Sequence, residues 1–174
     1  MAAGPIDMTY DQLSKALKAW DFTPAYPAAF LALGGDKSVL TVPGWPYDII
    51  ENMITESNGV MTRAVCSIII NGDDEPRALG DHLGPGAGSL QRFGTRWVFT
   101  ARISAWADQA MGGADTVTKM FGQVYGCFFF NRMRLSIVKL TKVASGTREA
   151  FQDREQLWRY DTLVDGYAVM NYDA

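Results

Sequence analysis

The residue types that most often do chemistry in proteins are few in this chain and stand apart from one another. The single histidine, His82, has Asp81 beside it, and the sequence around them offers no further partner at a useful spacing. A proton shuttle or a metal ion needs more groups than these two. We therefore expect no catalytic or metal-binding role for His82.

The glycine-rich run that follows His82 resembles a phosphate-binding loop only superficially. Gly84, Gly86 and Gly88 are closely spaced, but Pro85 removes one of the backbone N–H groups that such a loop would use. A phosphate-binding loop also follows a strand and opens a helix, and neither pattern flanks these glycines. A flexible loop is the better interpretation.

The acidic run Asp73, Asp74 and Glu75 has the oxygen ligands that a hard cation prefers, but its spacing is not that of a calcium-binding loop. A solvated turn explains it equally simply. The serines of the chain lie in no nucleophile-elbow motif. We predict no catalytic residue, no cofactor site, no metal site and no enzymatic activity.

The composition is that of one folded domain. The chain has 174 residues, of which 48% are hydrophobic and 20% charged, so it can bury a sizeable core. Its net charge of −3 provides no basic field for phosphate backbones, and specific nucleic-acid binding is not expected. The many aromatic residues fill the core or cover contacts between subunits, where aromatics are enriched.

No segment of the sequence predicts insertion into a membrane or export to an oxidising compartment. The sequence has no apolar run of 18 residues, and its first residues have neither a basic stretch nor an apolar stretch of the kind found in signal peptides. Cys66 and Cys127 both lie in apolar surroundings. We expect them to be buried, reduced thiols.

Three patterns in the second half of the chain predict the fold. Residues 94–107 alternate apolar and polar side chains, as a half-buried strand does. A helical pattern follows from residue 114 or 115, with a stripe that includes Val117, Met120, Val124 and Phe128. Strand patterns return at 135–143 and from residue 157. These elements predict an α+β fold in which helices cover an antiparallel sheet.

The predicted organisation is a single domain over residues 1–174 with a helical N-terminal extension. Residues 1–58 form the helical N-terminal part, with helices near 10–20, 28–33 and 47–56, and residues 95–174 form the strand-helix-strand core. Residues 71–94 have no periodicity and are predicted to be a long loop. That loop is either a mobile surface segment or one that orders against a neighbouring subunit.

Charged residues of both signs alternate in the last third of the chain, and this pattern leaves two interpretations open. The first is a set of solvated surface pairs, which contribute little to stability. The second is a rim by which identical subunits recognise one another. The interface candidates on this second interpretation are Arg132, Arg134, Arg148, Glu149, Asp153, Arg154, Glu155 and Arg159.

The order of these elements resembles that of the tail terminator proteins of tailed bacteriophages. A helix, a strand and a variable loop precede the strand TRWVFTARISAWA, and a covering helix then leads to the terminal segment REQLWRYDTLVDGYAVMNYDA. The resemblance covers residues 60–174 and lies in the arrangement of elements, not in an invariant motif. The segment formed by residues 28–56 is longer than the corresponding part of compact members of that family.

The resemblance implies a structural virion protein, assembled in the host cytoplasm, that forms a six-fold ring. Such a homo-hexamer caps the tail tube and joins it to the neck, and DNA passes non-specifically through its lumen. The implied partners are the tail tube protein, a neck or connector protein and the sheath protein. An acidic lumen would repel phosphates, so DNA would slide through it. Its candidate residues are Asp73, Asp74 and Glu75, or Glu149, Asp153 and Glu155.

Two alternatives remain at this stage. Another neck, head–tail connector or tail protein would have much the same fold class. A small α+β ligand-binding domain or enzyme would instead use the aromatic-rich helix and sheet to line a pocket. Assembly into rings and stabilisation by a small molecule distinguish these classes.

Overall fold

The computed structural model describes the backbone of residues 5–72, 77–85, 91–151 and 155–173, and the side chains of residues 6–72, 97–141 and 157–168. These residues form an α+β domain in which four helices and a short 3-10 turn accompany one six-stranded sheet. The helices are α1 (Pro5–Lys18), α2 (Ala28–Ala32), α3 (Tyr47–Glu56) and α4 (Gly113–Asn131), and the 3-10 turn is Thr23–Ala25. The strands are β1 (Leu40–Pro43), β2 (Val65–Gly72), β3 (Arg77–Pro85), β4 (Gln91–Ala107), β5 (Ile137–Phe151) and β6 (Glu155–Asp173).

The sheet is organised around β4. Its order is β1-β2-β4-β6-β5, and β3 pairs with the first part of β4 on the side that β2 occupies further along. On its other side β4 pairs with β6 without a register shift, from Arg92 opposite Asp173 to Ala107 opposite Trp158. β4 is therefore a central strand with partners on both sides.

One face of the sheet carries the core. Phe99, Ala101, Ile103 and Ala105 alternate along β4 on this face, and all four are buried. The helix α4 packs against it, and the ring of Phe121 lies 4.4 Å from that of Tyr160 on β6. The alternation predicted for residues 94–107 is confirmed from Trp97 to Ile103, because side chains on a strand point to opposite faces in turn. From Ser104 to Ala107 it is wrong, since side chains on both faces are buried there.

The helices α1 and α4 pack against each other over the same face. The thiol of Cys127 on α4 lies 3.5 Å from the carbonyl oxygen of Ala16 on α1, and Leu13 and Leu17 of α1 are buried. Cys66 of β2 is also buried, and both cysteines are free thiols. Burial raises the pKa of Cys66 to about 12 and that of Cys127 to about 11.

The turn before α4 is held by a fully buried carboxylate. Asp108 accepts hydrogen bonds from the backbone N–H groups of Met61, at 2.6 Å, and of Met111, at 2.9 Å. Burial raises the pKa of Asp108, and these hydrogen bonds oppose the shift. One side chain thus joins the segment before β2 to the start of α4.

The predicted fold class is confirmed, but the sheet is mixed. α1, α2 and α3 form the predicted helical N-terminal part, and β4 to β6 with α4 follow it in one domain. β1, however, runs parallel to β2, because the chain crosses from one to the other through α3. The prediction of a purely antiparallel sheet is wrong for this pair.

The prediction of a structureless loop over residues 71–94 is also wrong where the structure describes it. β2 extends to Gly72, β3 covers Arg77–Pro85 and β4 begins at Gln91. The register between β3 and β4 shifts on either side of His82, and an irregular register does not require a regular period of two in the sequence. The backbone can pair there without leaving a period of two in the sequence.

No helix within the described residues is both long enough and apolar enough to cross a bilayer.

Candidate subunit interface

The structure separates the predicted interface residues into three groups. Side chains are described for Arg132, Arg134 and Arg159. Arg148 and Glu149 lie on β5 and Glu155 begins β6, but only their backbone is described. The remaining candidates lie outside the described residues; these are Asp153, Arg154 and the proposed lumen residues Asp73, Asp74 and Glu75.

Arg132 and Arg134 lie together at the C-terminal end of α4, and both are exposed. The guanidinium carbon of Arg132 lies 4.5 Å from the centre of the Phe129 ring, which is a cation–π distance. Arg134 lines a shallow groove of about 250 Å³ with Lys15 of α1. This end of α4 therefore presents positive charge beside an aromatic surface.

Arg159 lies elsewhere. It is on β6, one residue before Tyr160, and therefore on the face of the sheet opposite to α4. Its side chain is 16% exposed and its Nε lies 3.3 Å from a carboxylate oxygen of Asp161, which is 4% exposed. The guanidinium also lies over the rings of Trp45 and Trp106, at 5.4 and 5.3 Å. The structure thus does not bring Arg159 together with Arg132 and Arg134.

Aromatic side chains around Arg159 cover the face of the sheet opposite to α4, near β2. The ring of Trp106 packs edge-on against those of Trp45 and Tyr47, at the start of α3, and its indole N–H donates to the hydroxyl of Ser67 at 3.0 Å. The Arg159–Asp161 pair lies against this cluster. The contacts of Trp45 and Tyr47 with Trp106 hold the start of α3 against the sheet and so position that helix.

A second apolar stripe of α4 faces away from the core. Its first stripe, which includes Val117, Val124 and Phe128, is buried. The second stripe and the turn after it expose large side chains, among which Phe130 is 76%, Met133 87% and Val138 74% exposed. Exposed apolar groups of this size in one place mark an interaction surface. We call this surface the aromatic patch; its members are Tyr125, Phe129, Phe130, Met133 and Val138.

The rings of the aromatic patch are ordered by contacts within the chain. Tyr125 and Phe129 stack with centroids 6.4 Å apart, and Phe130 packs against Phe129 edge-on and against Trp20 face to face. The indole N–H of Trp20 donates to the side-chain oxygen of Gln123 at 3.0 Å. Side chains that are already fixed lose less conformational entropy when they bind a partner.

The aromatic patch borders an edge of the sheet. β5 is an outer strand that pairs with β6 alone among the described strands, so the other side of its backbone is available for pairing. Val138 belongs both to the patch and to this edge. Apolar side chains and an unpaired strand edge thus meet at one place.

The surface beside the patch is not a convincing small-molecule site. The groove between α4 and residues 137–140 of β5 is open and holds about 190 Å³, below the usual volume of a ligand pocket. Within the part of the chain that is described, no cluster of three or more His, Cys, Asp or Glu residues could hold a metal ion. The arrangement fits contact with a protein surface better.

Tyr125, Phe129 and Phe130 widen the apolar surface of α4 in a way that the sequence shows, whereas no pattern in the sequence marks Met133 and Val138. A usable signal was present in the run of three phenylalanines. Successive residues of a helix point about 100° apart, so three consecutive phenylalanines cannot all face the core. Phe128 is buried and Phe130 is exposed, as this geometry requires.

Neither a protein-family model nor a curated protein sequence matches this chain.

Proposed function

We propose that this chain is a structural virion protein that assembles with copies of itself into a ring, which terminates the tail tube of a tailed phage and joins it to the neck. The observation that supports self-assembly best is the aromatic patch beside β5, the outermost of the described strands on that side of the sheet. A ring needs heterologous contacts, in which one surface of each copy binds a different surface of the next. The patch has the apolar character of such a contact.

The virion role rests on the order of elements in residues 60–174 that resembles tail terminators. A hexameric ring at the head-proximal end of the tail would contact the tail tube protein, a neck or connector protein and the sheath protein. The net charge of −3 agrees with passage of DNA without adhesion. Asp73, Asp74 and Glu75 are the proposed lumen residues.

The test is to observe the assembled state directly. Light scattering of the purified chain should give a mass several times that of one subunit, and negative-stain images should show closed rings. Added to tail tubes in vitro, the rings should bind one end and stop elongation. A chain that remains monomeric at all accessible concentrations, or rings that ignore tubes, would contradict the proposal.

The same experiment separates the nearest alternative, a neck or head–tail connector protein. A terminator should co-purify with tails that lack heads, whereas a connector should co-purify with filled heads that lack tails. Tagged protein expressed during infection, followed by gradient separation of heads and tails, distinguishes the two.

A further inference from the structure

Exposed apolar side chains also lie at the start of α3. Trp45 is 48% exposed, and Tyr47 and Ile49 are each 38% exposed. Asp48 and Glu56 of α3 are exposed as well, and the sequence from 44 to 62 has no lysine or arginine; Arg159, which lies over Trp45, is paired with Asp161. We call this surface the α3 surface; its members are Trp45, Tyr47, Asp48, Ile49, Glu51 and Glu56.

The aromatic patch has the opposite charge. Arg132, Arg134 and Lys139 are all exposed around it. The sequence from 116 to 148 has no aspartate or glutamate, and Asp165 lies opposite Lys139 in the register of β5 and β6. Two apolar surfaces, one with three acidic residues and the other with three basic ones, are electrostatically complementary.

The two surfaces lie on opposite faces of the sheet. Trp45 and Tyr47 pack against Trp106, which follows Ala105 on β4 and so points away from the α4 face. The aromatic patch belongs to α4 and the start of β5, on the other face. A molecule therefore cannot bring its own α3 surface to its own patch, but two neighbouring copies can make this contact.

We propose that the aromatic patch of one copy binds the α3 surface of the next, head to tail. This inference rests on the proposed function, in that it names the surfaces through which the ring assembles. Apolar contact between Phe130, Met133 and Val138 and the neighbour's Trp45 and Ile49 would supply most of the affinity. The charges at the rim would set the orientation and speed association.

Charge exchange tests the pairing. One variant carries Asp48→Lys and Glu56→Lys, which makes both surfaces basic; a second carries Arg132→Glu and Lys139→Glu, which makes both acidic. Like charges then face each other, so each variant alone should need at least about tenfold more protein to assemble than the unaltered chain. Mixing the two variants, or combining all four changes in one chain, restores opposite charges and should restore assembly.

The control exchanges an ion pair outside both surfaces. Asp115 and Lys119 form a 2.6 Å pair on the first turns of α4, and exchanging them as Asp115→Lys and Lys119→Asp preserves the net charge. This variant should assemble like the unaltered chain. Circular dichroism checks that every variant is folded, and sedimentation velocity across a concentration series measures assembly.

The outcomes separate this inference from the proposed function. If the unaltered chain forms rings and folded charge variants assemble equally well, or if mixing them restores nothing, the pairing is wrong and the ring remains. If each charge variant alone fails to assemble and their mixture assembles, but only open filaments form, the pairing is confirmed and the terminator role is wrong. A strictly monomeric unaltered chain overturns both.

Discussion

Replacing Gly166 with alanine tests the packing where β6 passes closest to its surroundings. A Cβ at this position would lie 2.9 Å from Cζ of the Phe99 ring and 2.9 Å from the carbonyl oxygen of Ser136. The Phe99 ring is confined in the core, and the Ser136 oxygen accepts a hydrogen bond from the backbone N–H of Tyr167 at 3.2 Å. Neither atom can move away without loss.

The size of the effect follows from two opposing contributions. Forcing a methyl group into a packed site typically destabilises a protein by about 1–3 kcal/mol. Alanine also reduces the conformational entropy of the unfolded chain, which returns about 0.4–1 kcal/mol. We therefore expect Gly166→Ala to lower the free energy of unfolding by about 1–2 kcal/mol.

Urea unfolding followed by circular dichroism measures this change, and Gly122→Ala is the matched control. Gly122 lies within α4, and a Cβ there would meet no atom within 4 Å. Because glycine is a poor helix former, this control should raise the free energy of unfolding by about 0.5–1 kcal/mol. If Gly166→Ala is as stable as the unaltered protein while the control gains stability, the close approach is refuted.

Three further predictions concern single side chains. Burial raises the pKa of Asp108 above its ordinary 3.8, so the stability that its protonation contributes is fully present below about pH 4 and is lost as the pH rises through the raised pKa. In urea unfolding, the stability advantage of the unaltered protein over Asp108→Asn should therefore shrink with rising pH. An advantage that grows with pH would contradict this. The raised pKa values and burial of Cys66 and Cys127 should keep both unreactive toward a disulfide reagent at pH 8 until urea is added, and fast labelling of the native protein would refute it. Ser136 has a φ of +52°, so Ser136→Gly should raise the free energy of unfolding by about 0.5–1 kcal/mol; a lower thermal midpoint would show that the serine is not strained.

Elements with an uninterrupted period were predictable from the sequence. α3 was predicted at residues 47–56 and spans Tyr47–Glu56. Pro46 lies immediately before it, and after its last residue the backbone N–H of Gly59 donates a hydrogen bond back to the carbonyl oxygen of Ile54. α4 was predicted to begin at residue 114 or 115 and begins at Gly113. Pro46 and Gly59 mark the two ends of α3 in the sequence. α1, in contrast, begins at Pro5, about five residues before its predicted start near residue 10.

Features that depend on distant partners were not predictable. A glycine within a long strand, such as Gly166 in β6, often marks a bulge. The pairing of β6 with β4 is nevertheless continuous there, and the irregularity lies in β5, between Ile137 and Lys139. A glycine is needed at position 166 because a Cβ there would lie too close to the ring of Phe99, a residue 67 positions earlier in the sequence. Likewise, the apolar pattern of α3 does not show which of two adjacent isoleucines is covered: Ile49 is exposed and Ile50 is completely buried.

The candidate interface was predictable only in part, because exposure depends on what covers a helix. The surplus of aromatic residues on α4 was visible in the sequence, but not its meeting with the edge of β5. Arg159 appeared to belong with the other C-terminal charges, and its distinct environment comes from Trp45, which lies far away in the chain.

The place of β4 in the sheet has a consequence for protein synthesis. β2 and β3 precede β4 and can pair with it as soon as it leaves the ribosome, but β6 is made only after α4 and β5. Until residue 173 has been translated, one side of the backbone from Arg92 to Ala107 lacks its full set of partners. The nascent chain thus carries an open strand edge for much of its elongation, and this edge is where chaperones and neighbouring nascent chains would compete.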